Sequence, residues 1–246
     1  MKICRFSDDR LGLIHEKQIH DITDALGVLP VHRWPVPLGD DLVRNLNALI
    51  DRGRSLVSSA RTHEIDSVVL KSPVANPSKI IGAPANYDDH LAEAMEDAEI
   101  SHGRTAPKLG EWGLFLKANS SLVGPGEGIR IKHPDRRNDH ELELAVIIAK
   151  EGKDIDSGAA LDYVAGYAIG LDMTVRGTEV QSFRKSVDTY SVLGPWLVTS
   201  DEIANPNDLD MSLSVNGEVR QDSNTRYLRM NVEQVIAFAS SFYTLF

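Results

Sequence analysis

Cysteine is almost missing from this chain of 246 residues, Cys4 being the only one. One thiol can close no disulfide within the chain and cannot build a thiolate zinc site. No apolar run approaches the roughly 18 residues that would suggest a membrane span, and the opening Met1-Lys2-Ile3-Cys4-Arg5-Phe6 has no apolar signal core. The expectation is a reducing, cytoplasmic setting with no membrane partner. Basic runs are also lacking: 26 Lys and Arg stand against 36 Asp and Glu, for a net charge of −10. Nothing basic is long enough to follow a phosphate backbone, so no nucleic-acid partner is expected. What remains, 42% apolar and 25% charged with no low-complexity tract, suits a soluble enzyme with one main domain and a smaller one.

The first 22 residues read as a β meander, Lys2 to Phe6, Leu11 to His15 and Gln18 to Ile22, broken by Asp, Gly or Lys. Between Asp41 and Arg61, Leu42, Leu46, Leu49, Ile50, Leu56 and Val57 recur near helical spacing, with Gly53 as a weak spot. Ser72-Pro73-Val74-Ala75-Asn76-Pro77 reads as a tether. This divides the chain into a small N-terminal domain, 1–72, and a larger domain, 73–246, that opens with a strand at Lys79 to Gly82. Near the end, Val232, Val235, Ile236, Ala239 and Phe242 share one face of a helix from Asn231 to Tyr243.

The most informative stretch is Asp139-His140-Glu141-Leu142-Glu143-Leu144-Ala145-Val146-Ile147-Ile148. In a strand Glu141 and Glu143 point to the same side, with Cβ atoms about 7 Å apart, near enough to converge on one ion. A half-exposed strand with glutamates in water would look similar. The uninterrupted apolar run Leu144 to Ala149 argues instead for a strand covered on both faces. A third acid, Asp172, sits in another apolar strand-like run, Val164 to Thr174. Buried acids without partners are expensive, and an all-oxygen site suits Mg²⁺ or Mn²⁺ better than zinc.

A second cluster, Asn86-Tyr87-Asp88-Asp89-His90-Leu91-Ala92-Glu93, follows Pro84 and reads as the opening of a short helix. His90 and Glu93 lie three apart on one face, where the carboxylate raises the imidazole's basicity and holds one tautomer. Such a pair takes a proton from water near neutral pH, although the same spacing also describes an ordinary solvated pair. The polar stretch from Asp97 to Glu111, with Gly103, Pro107 and Gly110, reads as a loop with the makings of a lid.

Taken together these residues resemble the fumarylacetoacetate hydrolase superfamily. The resemblance rests on Asn86-Tyr87 with His90 and Glu93, then Glu141-Leu142-Glu143-Leu144. It continues through Gly166-Tyr167, Asp172-Met173-Thr174-Val175-Arg176, Lys185-Ser186-Val187-Asp188 and Gly194-Pro195-Trp196 to the Asn216-Gly217 hairpin signal. It covers about residues 79–246. It implies an α+β, mainly β fold, a mixed β-roll or barrel with flanking helices and a small N-terminal α+β domain, in a homodimer. It implies Mg²⁺ or Mn²⁺ held by Glu141, Glu143 and Asp172, and a water-activating pair of His90 and Glu93. Lys185 matches the family's active-site lysine, Arg176 the arginine near the substrate, and Tyr87 and Glu179 fall at substrate-facing positions. The implied reaction is hydrolysis of a C–C bond in a small-molecule β-diketo acid of the fumarylacetoacetate or acylpyruvate type, in aromatic catabolism. Oxaloacetate decarboxylation, enol-diacid isomerisation or hydration, and an inactive metal-binding scaffold are the alternatives.

Two departures from the family pattern stand out. Asp commonly follows the arginine and Gln lies three residues beyond it, whereas here Gly177 and Glu179 occupy those places. An acid there disfavours an anionic substrate unless Glu179 is turned away or pairs with Arg184 or Lys185. Family members also continue past the position of Phe246 through a Pro-Gly-Asp turn and a Thr-Gly-Thr-Pro strand. The last strands of the roll and a substrate-binding threonine are therefore expected to fall outside this sequence.

Overall fold

The computed structural model describes residues 1–87 and 113–246. The chain starts as an antiparallel meander of β1 (Lys2–Phe6), β2 (Arg10–His15) and β3 (Gln18–Asp21). Alternation sends its apolar side chains to two places. Ile3, Leu11 and Leu13 enter the main core, while Cys4, Phe6 and Ile19 form a cluster of their own on the other face. Burial pushes the Cys4 thiol up to about 12, which leaves it inert.

The helix expected over residues 41–61 is instead two helices, α1 (Asp41–Arg44) and α2 (Leu46–Leu56), followed by a 3₁₀ turn at Val57–Ser59. The break is local chemistry: Asn45 leaves helical geometry, and its side-chain amide donates to the Asp41 carbonyl at 2.8 Å. Gly53 is a close approach rather than a weak spot, since a Cβ there would stand 2.7 Å from Ile22 Cδ1. Leu42, Val43, Leu46, Leu49 and Ile50 pack on Ile3, Leu11 and Leu13 of the meander.

After β4 (Thr62–Glu64), β5 (Leu70–Lys71), β6 (Ile80–Gly82), β7 (Phe115–Lys117), β8 (Leu122–Val123) and β9 (Asn138–Asp139) come the two longer strands β10 (Leu142–Ile148) and β11 (Val164–Asp172). A short β12 (Thr174–Val175), the helix α3 (Gln181–Lys185), β13 (Ser191–Thr199), a hairpin of β14 (Asp210–Val215) and β15 (Glu218–Asn224), and the helix α4 (Val232–Phe242) complete the order. The principal sheet runs β10-β11-β13-β1-β2-β3-β4, with β5 on β1 and β8 parallel to β13. It passes from one side of residue 72 to the other through the antiparallel pairing of β1 with β13. The fold is α+β and mainly β. Among the described residues the sheet is an open path, not a closed barrel.

The sequence pattern holds where local rules decide. The β14–β15 turn is Asn216-Gly217, both at positive φ, as a two-residue hairpin requires. In α4, Asn231 and Gln234 form a reciprocal capping box. Val232, Ile236 and Ala239 are buried, but Phe242, expected on the same face, is 66% exposed and meets the Phe238 ring edge to face instead. β10 is covered on both sides: Ala145 and Ile147 meet the main core, while Leu144, Val146 and Ile148 meet the cluster beneath α4.

One buried carboxylate ties the helical layer to the tether. Asp40 Oδ1 caps α1 by accepting from the N–H groups of Leu42 and Val43 at 2.9 and 3.3 Å. Oδ2 accepts from Ala75 and Asn76 at 2.6 and 2.8 Å. Asp40→Ala removes a cap and strands buried donors, for an expected loss of about 1–3 kcal/mol in denaturant unfolding. An unchanged midpoint would mean that these bonds add nothing to stability.

Candidate active site

The β10–β11 register assembles the acids. Leu142 pairs with Leu171 and Glu143 with Gly170, and one step beyond the ladder the Asp172 N–H donates to the Glu141 carbonyl at 2.8 Å. Cross-strand partners share a face, so Glu141, Glu143 and Asp172 all point away from the Leu142–Leu171 side. The expected continuous strand is interrupted here, because Glu141 lies just before β10, and Asn138–Asp139 form a separate ladder with β12. Gly170 leaves the space opposite Glu143 open.

Into this acidic face α3 delivers Lys185. Its Nζ donates to Glu141 Oε2 at 2.6 Å, Asp172 Oδ2 at 2.7 Å and Thr174 Oγ1 at 2.7 Å, which uses all three of its protons. Burial pulls this ammonium down, but the neighbouring charges of Glu141 and Asp172 outweigh it and hold Lys185 above the ordinary lysine value. A second lysine, Lys117 of β7, is ion-paired with Asp172 Oδ1 and donates to the Tyr190 carbonyl at 2.8 Å. Burial dominates there and lowers its pKa. Arg176 donates through Nε to Asp139 Oδ2 at 2.6 Å and through Nη2 to Glu141 Oε1 at 2.9 Å.

Glu143 is different. Burial, reinforced by the charges of Glu141 and Asp172, pushes its carboxyl up to about 8, and no hydrogen bond reaches it among the described residues. Tyr87, also raised by burial and by the Glu143 charge, stands near it. Tyr87 is seated by Asn86, whose side-chain amide pairs in both directions with the backbone of Met230 at 2.9 Å.

These groups line one cavity of about 910 Å³, at the upper end of small-molecule pockets. Tyr87, Glu141, Glu143, Asp172, Arg176, Glu179 and Lys185, all singled out from sequence, lie on its wall. His90 and Glu93 fall outside the described residues. Sequence reasoning missed Lys117, Asp139, Thr174 and Arg136. The one sequence signal for Lys117 is a charge closing the apolar run Leu114-Phe115-Leu116. Glu179 pairs neither with Lys185 nor with the Arg184 guanidinium as an ion pair. Arg136 grips it bidentately at 3.0 and 2.9 Å, and this holds its carboxyl below the usual range. The same guanidinium donates to the Arg176 carbonyl from Nε at 3.1 Å and Nη2 at 2.6 Å. A Cβ at position 177 would meet Arg136 Nη2 at 1.9 Å and Glu179 Oε2 at 2.4 Å, so a side chain there would displace the flexible ends of this pair.

The donor set suits a hard divalent cation. Oxygens of Glu141, Asp172 and Thr174 already surround a positive nitrogen, and Glu143 adds a carboxyl that no hydrogen bond reaches among the described residues. No three His, Cys, Asp or Glu side chains among the described residues are already drawn together at ion-binding distances. The lysines hold the acids' charge instead.

The fold and site define a class. Residues 79–246 match the family described as fumarylacetoacetate (FAA) hydrolase C-terminal, and the chain belongs to that family. It is 53% identical over 247 residues to a maleylpyruvate hydrolase of Aquipseudomonas alcaligenes, covering 100% of this chain and 86% of that one. The crystal structure of maleylpyruvate hydrolase from Sphingobium sp. SYK-6 in complex with manganese(II) and pyruvate superposes with a TM-score of 0.80. The identity there is 35%, over 100% of this chain and 84% of that one. The mitochondrial oxaloacetate tautomerase fahd2 of Xenopus laevis is 34% identical over 214 residues, 85% of this chain and 62% of that one.

Lys117→Met leaves Asp172 Oδ1 and the Tyr190 carbonyl without their buried donor. The expected cost is about 3 kcal/mol in denaturant unfolding. A loss within about 0.5 kcal/mol, the usual range for surface substitutions, would show that the lysine is dispensable to the cluster.

Proposed function

We propose that this chain is a divalent-metal-dependent hydrolase that cleaves a C–C bond in an acylpyruvate, a β-diketo acid, to a carboxylate and pyruvate. The observation that carries the reading is the convergence of Glu141 and Asp172 on one cation, with Glu143 beside them, on the wall of a cavity of substrate size. The relatives support it: two are maleylpyruvate hydrolases by name, and one of these holds manganese(II) and pyruvate. On this reading Glu141, Glu143 and Asp172 hold Mg²⁺ or Mn²⁺, which when bound supplies Lewis acidity toward the keto-acid end of the substrate.

The chain's own groups do the rest. His90, made more basic by Glu93, takes a proton from water, and the water oxygen adds to the acyl carbonyl carbon. The bond from that carbon to the pyruvate methylene then breaks. Its electron pair stays with the pyruvate part as an enolate, and a proton returns to the methylene. Lys185, its three protons already taken by Glu141, Asp172 and Thr174, places a fixed positive charge near the developing oxyanion. Arg176 holds the Glu141 carboxylate in place through its bond to Oε1, and Tyr87 and Glu179 line the substrate's path. A homodimer in the cytoplasm is the setting the family resemblance suggests. No helix of the described residues is long and apolar enough to cross a membrane.

Two experiments test this. With Mn²⁺, acetylpyruvate should yield acetate and pyruvate in equal amounts. Turnover of oxaloacetate alone would overturn the hydrolase reading, tautomerisation moving the chain to the chemistry of its tautomerase relative and CO₂ release making it a decarboxylase. His90→Ala should lower hydrolysis by about 10²-fold or more while leaving Mn²⁺ affinity intact. Parent-level hydrolysis in that variant would remove His90 as the base.

A further inference from the structure

The cations on the cavity wall are mostly committed. Lys117, Arg176 and Lys185 are tied to the central acids, Arg44 to Asp41 and Arg220 to Glu218, while Lys79 is turned onto the Thr244 carbonyl and the Phe246 ring. Arg176, expected near the substrate, is among the most committed, with two carboxylates on its guanidinium. Arg184 is the exception. It is half-buried on the same wall, and its one hydrogen bond among the described residues is from Nε to the neutral Glu179 carbonyl at 2.8 Å. Its terminal nitrogens meet no carboxylate there.

Two features hold it in that state. Adjacent residues on a helix diverge by about 100°, so while Lys185 reaches the acids, Arg184 projects to another part of the wall. Glu179, whose backbone carbonyl Arg184 already holds, has its carboxylate consumed by the bidentate grip of Arg136. Burial first, and then the neighbouring Arg176 charge, lower the Arg184 pKa by more than the Glu141 and Glu179 charges raise it. A planar guanidinium with open terminal donors matches a carboxylate bidentately.

We infer that Arg184 sets specificity in this site, its open guanidinium nitrogens binding the carboxylate at the far end of a dicarboxylate acylpyruvate. This rests on the hydrolase reading above and adds to it a residue that sets specificity. It also resolves the apparent conflict at position 179, because the acid there is cancelled by Arg136 and the wall remains cationic where the tail would lie.

The test compares an acylpyruvate with an anionic tail, maleylpyruvate, against the neutral acetylpyruvate, in the parent and in Arg184→Gln with Mn²⁺ present. The ratio of kcat/KM for the anionic over the neutral substrate should fall at least about tenfold in the variant, mainly through KM, and Arg184→Lys should recover part of it. Calorimetric titration with maleate alone provides a readout independent of turnover, and its Kd should rise by a similar factor in Arg184→Gln. A ratio and a maleate affinity equal to the parent's would overturn the assignment, as would failure of maleate to bind the parent at all. If the parent cleaves neither acylpyruvate yet still binds maleate through Arg184, the hydrolase reading fails and the anion seat stands.

Discussion

The Lys185 ammonium shared by Glu141 and Asp172 is the interaction on which this site depends. Two carboxylates on adjacent strands, with a third one pleat away, would repel one another in a half-buried setting. Lys185, backed by Lys117 on the other oxygen of Asp172, makes their convergence tolerable. Such pairs contribute little net stability, since desolvation offsets most of the attraction. What they hold in place is a set of oxygens of the kind a hard cation takes. Glu143, which no hydrogen bond reaches among the described residues, is the member that burial and the neighbouring acids push toward the neutral form.

The fold brings these groups together from distant parts of the chain. The β10–β11 register supplies the three acids, α3 and β12 supply Lys185, Thr174 and Arg176, and β7 supplies Lys117. Around them a second set of contacts keeps the arginines in order. Arg136 takes hold of Glu179 and of the Arg176 carbonyl at once, and the bare Cα of Gly177 lets it pass. The two departures from the family pattern, at 177 and 179, are therefore one feature: a glycine that admits a guanidinium and an acid that pairs with it.

Much of the fold is legible in the sequence because short-range rules decide it. The meander, the Asn216-Gly217 hairpin, the capped helix at Asn231 and the paired runs of β10 and β11 follow from alternation, positive-φ turn residues and capping. The break at Asn45 and the exposure of Phe242 do not, since each turns on one side chain's choice between competing partners. In the site, Glu141, Glu143 and Asp172 are visible as charges placed in or beside apolar runs, whereas Lys185 is visible only through the family resemblance. Lys117, Arg136 and Asp139 resemble ordinary surface charges until β7, the loop before β9 and β12 are brought beside the acids. Pairing over such distances leaves no local trace. Glu179 shows the same limit, since its partner lies 43 positions away in the chain.

The central claim is that these acids hold a divalent cation. It is tested most directly by titrating Mn²⁺ into the parent chain and Glu141→Ala, following free Mn²⁺ by electron paramagnetic resonance, with circular dichroism to verify the fold. The account predicts one Mn²⁺ bound per parent chain and affinity reduced by at least about 10²-fold in the variant, since a carboxylate ligand is lost outright. Equal affinity in a folded variant would contradict it, and would leave the acid cluster as a lysine-neutralised element of the fold with no ion to hold.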